Sequence, residues 1–416
     1  MRVIDLQQIN KRRFQLAKKR RRTRRSFVAL VLVVFVAGYS YLAYQRPLPD
    51  AAAVKKPLSV SVPAKPALSW PSYGQSAVGT KEYGVLDTNG DQVPSPTASV
   101  AKVMTALAVL RQKPLQPGQQ GPVITLDADD LSFYHYYASN GGSVVFVTEG
   151  EQITQYQALQ AMLLPSANNM ADSLVKWAFG SMDNYKAYAN NLATQLGMAK
   201  THVADASGFS AETASTASDL VKLGIAAMDN PVLTEIVAQP EAEVPVAGVV
   251  SNTNRQLGSN EVVGIKTGNT DEAGGCYLFA SSHTFSNGKK ITTIGAIMAA
   301  PSLGTAINDS AALLSSTYSG FGSVVVAAKQ QEVGNYKFAW GATNQAHTSE
   351  DLAVFTWLGK TLEPSLTLES LTFNSQVGAP VGTISVNSKL EQKSQAIVVS
   401  RAIIQPTWQW RLTHPF

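Results

Sequence analysis

Residues 96–110 read PTASVAKVMTALAVL, and from Ser99 to Leu110 only Lys102 and Thr105 break an apolar run. Pro96 and Thr97 just upstream supply a start signal, so the pattern predicts a helix buried on nearly every side. Ser99 and Lys102 lie three apart and share one face of it, at about 5–6 Å between Cβ atoms. A lysine held among Val100, Val103, Met104 and Leu107 loses hydration, which disfavours its charge and leaves an amine able to take a serine proton. A snorkelling surface lysine fits poorly with those neighbours.

Outward from this helix the elements alternate in type. Tyr83–Asp87 reads as a strand, with Asn89-Gly90 as a hairpin turn after it. Helical patterns recur at Gln155–Leu164, Ala167–Phe179, Met182–Leu196 and Ser218–Met228. Strand patterns follow at Val262–Thr267, Cys276–Ser281 and Ile291–Ala299. Helices grouped between early and late strands predict an α+β domain in which helices cover an antiparallel sheet. After Phe321 the texture is short β pieces, at Ser323–Ala327, Gln331–Phe338, Asp351–Trp357, Leu366–Phe373, Val381–Val386 and Gln395–Val399, so 323–416 reads as a small all-β domain.

The N-terminus has its own logic. Residues 1–46 hold 12 Lys+Arg and one acid, while the remaining 22 basic and 28 acidic residues leave the body at −6. The basic charge is therefore no nucleic-acid footprint. Ser26–Tyr44 carries no charge and covers about 28 Å as a helix, close to the hydrocarbon thickness of a bilayer. The flanking Lys/Arg put residues 1–25 in the cytoplasm and the body outside. The run exceeds a cleavable signal, and Tyr39, Tyr41 and Tyr44 suit an interface, which favours a retained signal anchor over 26–45. Residues 46–72, Pro-rich with Ala and Lys, read as an extended linker, and 73–322 as the main domain. Cys276 is the single cysteine, so no intrachain disulfide forms.

Two further motifs join Ser99 and Lys102. Ser166-Ala167-Asn168 follows Pro165 at a break between helices, where a hydroxyl and an amide project from a loop; its plain reading is a helix cap by Ser166. Lys266-Thr267-Gly268 ends the strand EVVGIKTG, offering a cation and a hydroxyl to an anionic group, with a glycine that lets a substrate backbone lie close. Singly the signals are weak: S-x-x-K recurs at Ser173–Lys176 and Ser286–Lys289, and S-x-N at Ser385–Asn387.

Together, in this order, the three resemble the low-molecular-mass penicillin-binding proteins of the D-alanyl-D-alanine carboxypeptidase type. PTASVAKVMTALAVL is similar to that family's nucleophile helix, GGSVVFVTEGEQITQYQALQAMLLPSANNMADSL to its second motif, and NTNRQL with VVGIKTGNTDEAGGCYLFAS to its third. VVVAAKQQEVGNYKFAWG and VGAPVGTISV are similar to its appended β-rich domain. Asn169 and Asn269 depart from common family residues.

The resemblance implies a β-lactamase/transpeptidase-like catalytic domain with a helical subdomain. It implies acylation of Ser99 by the carbonyl between the two D-alanines of a peptidoglycan stem peptide, with Lys102 as general base. Ser166 and Lys266 would pass the proton to the departing amine, Lys266 and Thr267 would hold its carboxylate, and Asn168 would bind the peptide amide. Gly268 and Asn269 complete the substrate strand, and the backbone N–H groups of Ser99 and Asn269 form the oxyanion hole. β-Lactam antibiotics are the implied covalent inhibitors, with no metal and no cofactor. The competing functions are a DD-endopeptidase of the same family, a serine β-lactamase, for which no E-x-x-x-N pattern lies between Asn168 and Lys266, and a non-catalytic peptidoglycan-binding envelope protein. His135, His202, His283, His347 and His414 stand in no serine-hydrolase context.

Overall fold

The computed structural model describes residues 6–61 and 63–414. Met1–Asp5, Val62, Pro415 and Phe416 lie outside, and with them the start of the basic segment, one linker position and the end of the β-rich stretch. Contacts divide the chain into two compact units, one of residues 1–62, 323–355 and 361–416, the other of 63–322 with 356–360.

In the first unit, α1 (Leu6–Gln45) is one continuous 40-residue helix. The basic run, whose conformation composition left open, is helical with the apolar stretch. Among the described residues α1 alone is long and apolar enough to cross a membrane. A six-stranded antiparallel sheet follows, in the order 53–55, 332–337, 343–348, 392–399, 380–387, 365–368. Ala53–Lys55, within the stretch read as an extended linker, is thus an edge strand, paired with Gly334–Tyr336. The strand Thr343–Thr348 carries TNQAHT, too polar to have been read from its sequence. A short C-terminal helix, Trp408–Thr413, lies along α1: Tyr39 Oη donates to the Leu412 carbonyl (2.8 Å) and Arg411 to that of Tyr44 (2.7 Å).

The second unit is built on a five-stranded sheet in the order 262–270, 274–284, 290–300, 75–80, 84–89, each pair antiparallel. Tyr83–Asp87 does belong to a hairpin, but the partner lies upstream, at Gln75–Thr80, and the turn is at 81–83. Asn89-Gly90 instead ends that strand. Gly90 has φ of 78°, and a Cβ there would collide with the Gly74 carbonyl. Strand alternation gives the sheet two faces. Cys276, Leu278 and Ala280 point into the main core, with Ile265 and Ile294 closing on Gly224 of the helix Ala217–Met228. Ser281, on the opposite face, meets Tyr318.

The helices are α2 (Lys102–Gln112), α3 (Ala128–Ser139), α4 (Gln155–Leu163), α5 (Asn168–Phe179), α6 (Met182–Gln195), α7 (Ala217–Met228), α8 (Pro231–Val237) and α9 (Leu303–Ser319). Reciprocal capping boxes start α3 (Asp127 with Asp130) and α4 (Thr154 with Gln157). Gly180, at φ 76°, ends α5. α2 is the axis of the core. Val103, Met104, Leu107, Val109 and Leu110 are buried, each contributing about 1.5–3 kcal/mol. α3, α8 and α9 were not read from the sequence.

Candidate active site

Ser99 sits in a 3₁₀ turn, Ala98–Ala101, that feeds directly into α2 at Lys102. The expected helix therefore starts three residues later, and the turn holds the serine at its mouth. Lys102 is fully buried, yet its Nζ has three partners: Ser99 Oγ at 2.8 Å, Asn168 Oδ1 at 2.6 Å and the Ser207 carbonyl at 3.0 Å. Desolvation, and then the charge of Lys266, hold its pKa well below the usual lysine value, against the opposing charges of Asp205 and Asp172.

The three partners decide what a neutral amine does here. The Asn168 and Ser207 oxygens are carbonyls that only accept, so they take the two N–H bonds of an uncharged Lys102. Ser99 Oγ alone can donate, and the amine's lone pair faces it. The contacts that fix the lysine thus aim the electron pair of a neutral amine at the Ser99 hydroxyl proton.

Asn168 begins α5, and its backbone N–H donates to the Ser143 carbonyl (2.7 Å). Ser166 does not cap the helix: the capping position is Ala167, with no side-chain bond, so the plain reading fails. Ser166 takes φ of 70°, and its Oγ is buried without a hydrogen-bond partner. Backbone strain and an orphaned hydroxyl mark a group placed for something other than stability.

Lys266, Thr267 and Gly268 lie on 262–270, the edge strand of the sheet. Lys266 is 1% exposed, and burial lowers its pKa to about 7. Its Nζ donates to the Thr267 carbonyl at 3.1 Å and to Thr253 Oγ1 at 3.5 Å, and the Thr253 and Thr267 hydroxyls are 2.7 Å apart. Thr253 was missed as a site residue, although NTNRQL had been noted. Gly268 is why this strand meets the serine turn: a Cβ would stand 2.9 Å from the Ser99 nitrogen and 3.1 Å from the Thr97 carbonyl oxygen.

A cleft of about 420 Å³ opens over Ser99 and Asn168, walled by Gly141–Ser143 on one side and by Asn269 and Thr270 on the other. The serine, the amide and the strand end therefore share one cavity, and Lys102 lies buried behind Ser99 and Asn168, bonded to both. Of the competing S-x-x-K pairs, Lys176 is spent on Asp127 and Asp130 (2.8 Å to the latter), and Ser173 is buried.

The family model described as D-alanyl-D-alanine carboxypeptidase, peptidase S11, matches residues 78–301. The chain belongs to this family. As an S11 peptidase it is a hydrolase. It is 31% identical to a D-alanyl-D-alanine carboxypeptidase of Mycobacterium tuberculosis over 54% of its own length and 73% of the relative's. It is 24% identical to one from Escherichia coli over 77% and 82% of the two chains, and 29% identical to a D-alanyl-D-alanine endopeptidase of Pseudomonas aeruginosa over 48% and 63%. Among solved structures, a Mycobacterium tuberculosis D-alanyl-D-alanine carboxypeptidase superposes with a TM-score of 0.51 at 27% identity, covering 64% of this chain and 96% of that one. A Streptomyces DD-transpeptidase, at 24% identity, shares the fold with a TM-score of 0.54 over 62% and 99%.

Proposed function

We propose that this S11 peptidase is a serine-type D-alanyl-D-alanine carboxypeptidase that trims peptidoglycan stem peptides through an acyl-enzyme on Ser99. The observation that carries the reading is the buried Lys102 amine, 2.8 Å from Ser99 Oγ and anchored by two carbonyl oxygens. Lys102 takes the Ser99 proton, Oγ attacks the carbonyl between the two D-alanines, and the oxyanion is held by the Ser99 and Asn269 N–H groups. Each such donor contributes about 2.7–4 kcal/mol. The C–N bond then breaks, and after the D-alanine has left, water hydrolyses the Ser99 ester to release the shortened peptide. The proton reaches the departing amine by way of Ser166, whose unpaired hydroxyl suits a relay. The leaving carboxylate is held by Lys266 and Thr267.

The position of strand 262–270 at the edge of its sheet supports the rest of the pose. An extended peptide lies against it, with Gly268 and Asn269 at the reacting end and the Asn168 amide opposite. The same acyl chemistry accepts penicillins, which would acylate Ser99. α1 supports a membrane anchor with its basic end in the cytoplasm and the catalytic unit outside.

A diacetyl-Lys-D-Ala-D-Ala peptide tests the activity: the wild type releases D-alanine and Ser99→Ala does not. Release by Ser99→Ala at the wild-type rate would end the proposal. The Pseudomonas aeruginosa relative makes a DD-endopeptidase the second reading. Purified sacculi separate the two, since shortened pentapeptides mark the carboxypeptidase and loss of cross-linked dimers the endopeptidase.

A further inference from the structure

Asp172 stands one turn along α5 from Asn168, four residues on and therefore on the same face. Its Oδ2 accepts a hydrogen bond from Tyr137 Oη at 2.9 Å, while Oδ1 is shut off from solvent and has no partner. Burial raises its pKa to about 6, partly offset by the Tyr137 bond, with the charge of Asp205 adding to the rise and that of Lys102 opposing it. A carboxyl left half-satisfied indoors is costly to stability. It calls for a reason.

Asp205, the other acid near Lys102, already has one. Its oxygens accept from the backbone N–H groups of Gly208 and Phe209 and from the Ser207 and Thr213 hydroxyls, so it ties its loop together. That loop carries the Ser207 carbonyl on which Lys102 rests, and the Ser207 hydroxyl also reaches the Tyr137 phenol. Asp172 organises no loop. What it touches is Tyr137, whose ring meets Phe209 edge-on at 5.3 Å and packs under Gly142, both on the cleft wall. The charged or titratable groups around it are Lys102 on α2, Tyr137 on α3, Tyr185 on α6 and Asp205 in the loop, and Lys266 on strand 262–270 acts in turn on Lys102.

We propose that Asp172 is a positioning residue for Lys102: its carboxylate, one turn along α5 from Asn168, fixes the Tyr137 phenol under the cleft wall and supplies a buried negative charge to the site of the catalytic amine. Burial and the charge of Lys266 lower the ability of Lys102 to hold a proton. The negative charge of Asp172 opposes both, and its loss leaves a weaker base that is uncharged at lower pH. The inference rests on the reading of Ser99 as the acylated residue.

The test is the rate constant for acylation of the full-length protein in detergent by a fluorescent penicillin, followed from about pH 5 to 9. In Asp172→Asn, nearly the same shape without the charge, the acidic limb of the profile moves down by about half a pH unit or more, and the plateau falls. Asp172→Glu moves the limb back towards the wild type. Tyr137→Phe, which keeps the acid but removes its one donor, shifts the limb the same way by less. A purely structural role would lower the rate uniformly at every pH. Superimposable limbs for Asp172→Asn and wild type, or, should that variant not fold, for Tyr137→Phe and wild type, overturn the inference. A wild type that takes no penicillin on Ser99 would instead sink the proposed function.

Discussion

Asn169 and Val145 are joined by two hydrogen bonds: the Asn169 side-chain oxygen accepts from the Val145 N–H (3.1 Å) and its amide nitrogen donates to the Val145 carbonyl (2.9 Å). Asn169 is thus a fully buried clasp between α5 and the segment leading from the cleft wall, adjacent to Asn168. Asn169→Ala leaves both backbone groups of Val145 unpaired, so it should cost about 1–3 kcal/mol and slow acylation by loosening the wall. Asn169→Asp keeps the acceptor but turns a carboxylate oxygen on the Val145 carbonyl, and should destabilise as well. Thermal melts of the two variants check both.

Lys102→Ala removes the base while leaving the cleft. Acylation by penicillin should fall about 10²–10⁴-fold, the usual worth of a positioned general base. The hydroxyl of Ser99 stays in place, so non-covalent binding persists. Stopped-flow rates against penicillin concentration separate the two effects.

Gly268→Ala probes the closeness of strand and serine turn. Its methyl would meet backbone at 2.9 Å, which only a shift of the strand or the turn relieves. A displacement approaching 1 Å costs up to about a hundredfold in rate. The expected outcome is slower acylation and a somewhat lower melting temperature, because the methyl also crowds Ala98, which belongs to the core.

Lys266 ties stability to pH. Its pKa is about 7 in the folded chain against 10.5 for an ordinary lysine, so between those values the unfolded chain binds the proton that the folded chain refuses. Stability from this group therefore rises as pH climbs from about 7 towards 10.5, and below 7 the full penalty of the buried charge is felt. Lys266→Met should flatten that part of the curve. Urea midpoints against pH, wild type beside variant, give the comparison.

Much of the site was legible because its pieces are local. Ser99 and Lys102 lie one turn apart on an apolar helix, and Lys266-Thr267-Gly268 ends a strand, so spacing and polarity announce both. What joins them was not legible. Ser207, whose carbonyl holds Lys102, lies 105 residues away, and only the folded loop brings it there. Thr253 and Asp172 are ordinary in composition, and their meaning is in the Thr267 hydroxyl and the Tyr137 phenol they touch. The α9 sequence LGTAINDSAALLSSTYS is rich in Ser and Thr, weak helix formers, and is held helical by Leu313 and Leu314 packing inward. The hairpin misread at Asn89-Gly90 has the same origin, since the strand it pairs with, QSAVGT, is buried on both faces and shows no alternation.

A serine β-lactamase is separated by turnover. The acyl-enzyme should persist, so one equivalent of a chromogenic cephalosporin should be consumed in a burst and little thereafter. Rapid continuous hydrolysis would favour the β-lactamase.

The most direct measurement is mass spectrometry of peptides from penicillin-treated full-length protein. One penicilloyl group on the peptide containing Ser99, absent from Ser99→Ala and formed far more slowly in Lys102→Ala, is the predicted result. An adduct on another residue, or labelling of Ser99 at undiminished rate without Lys102, would contradict it.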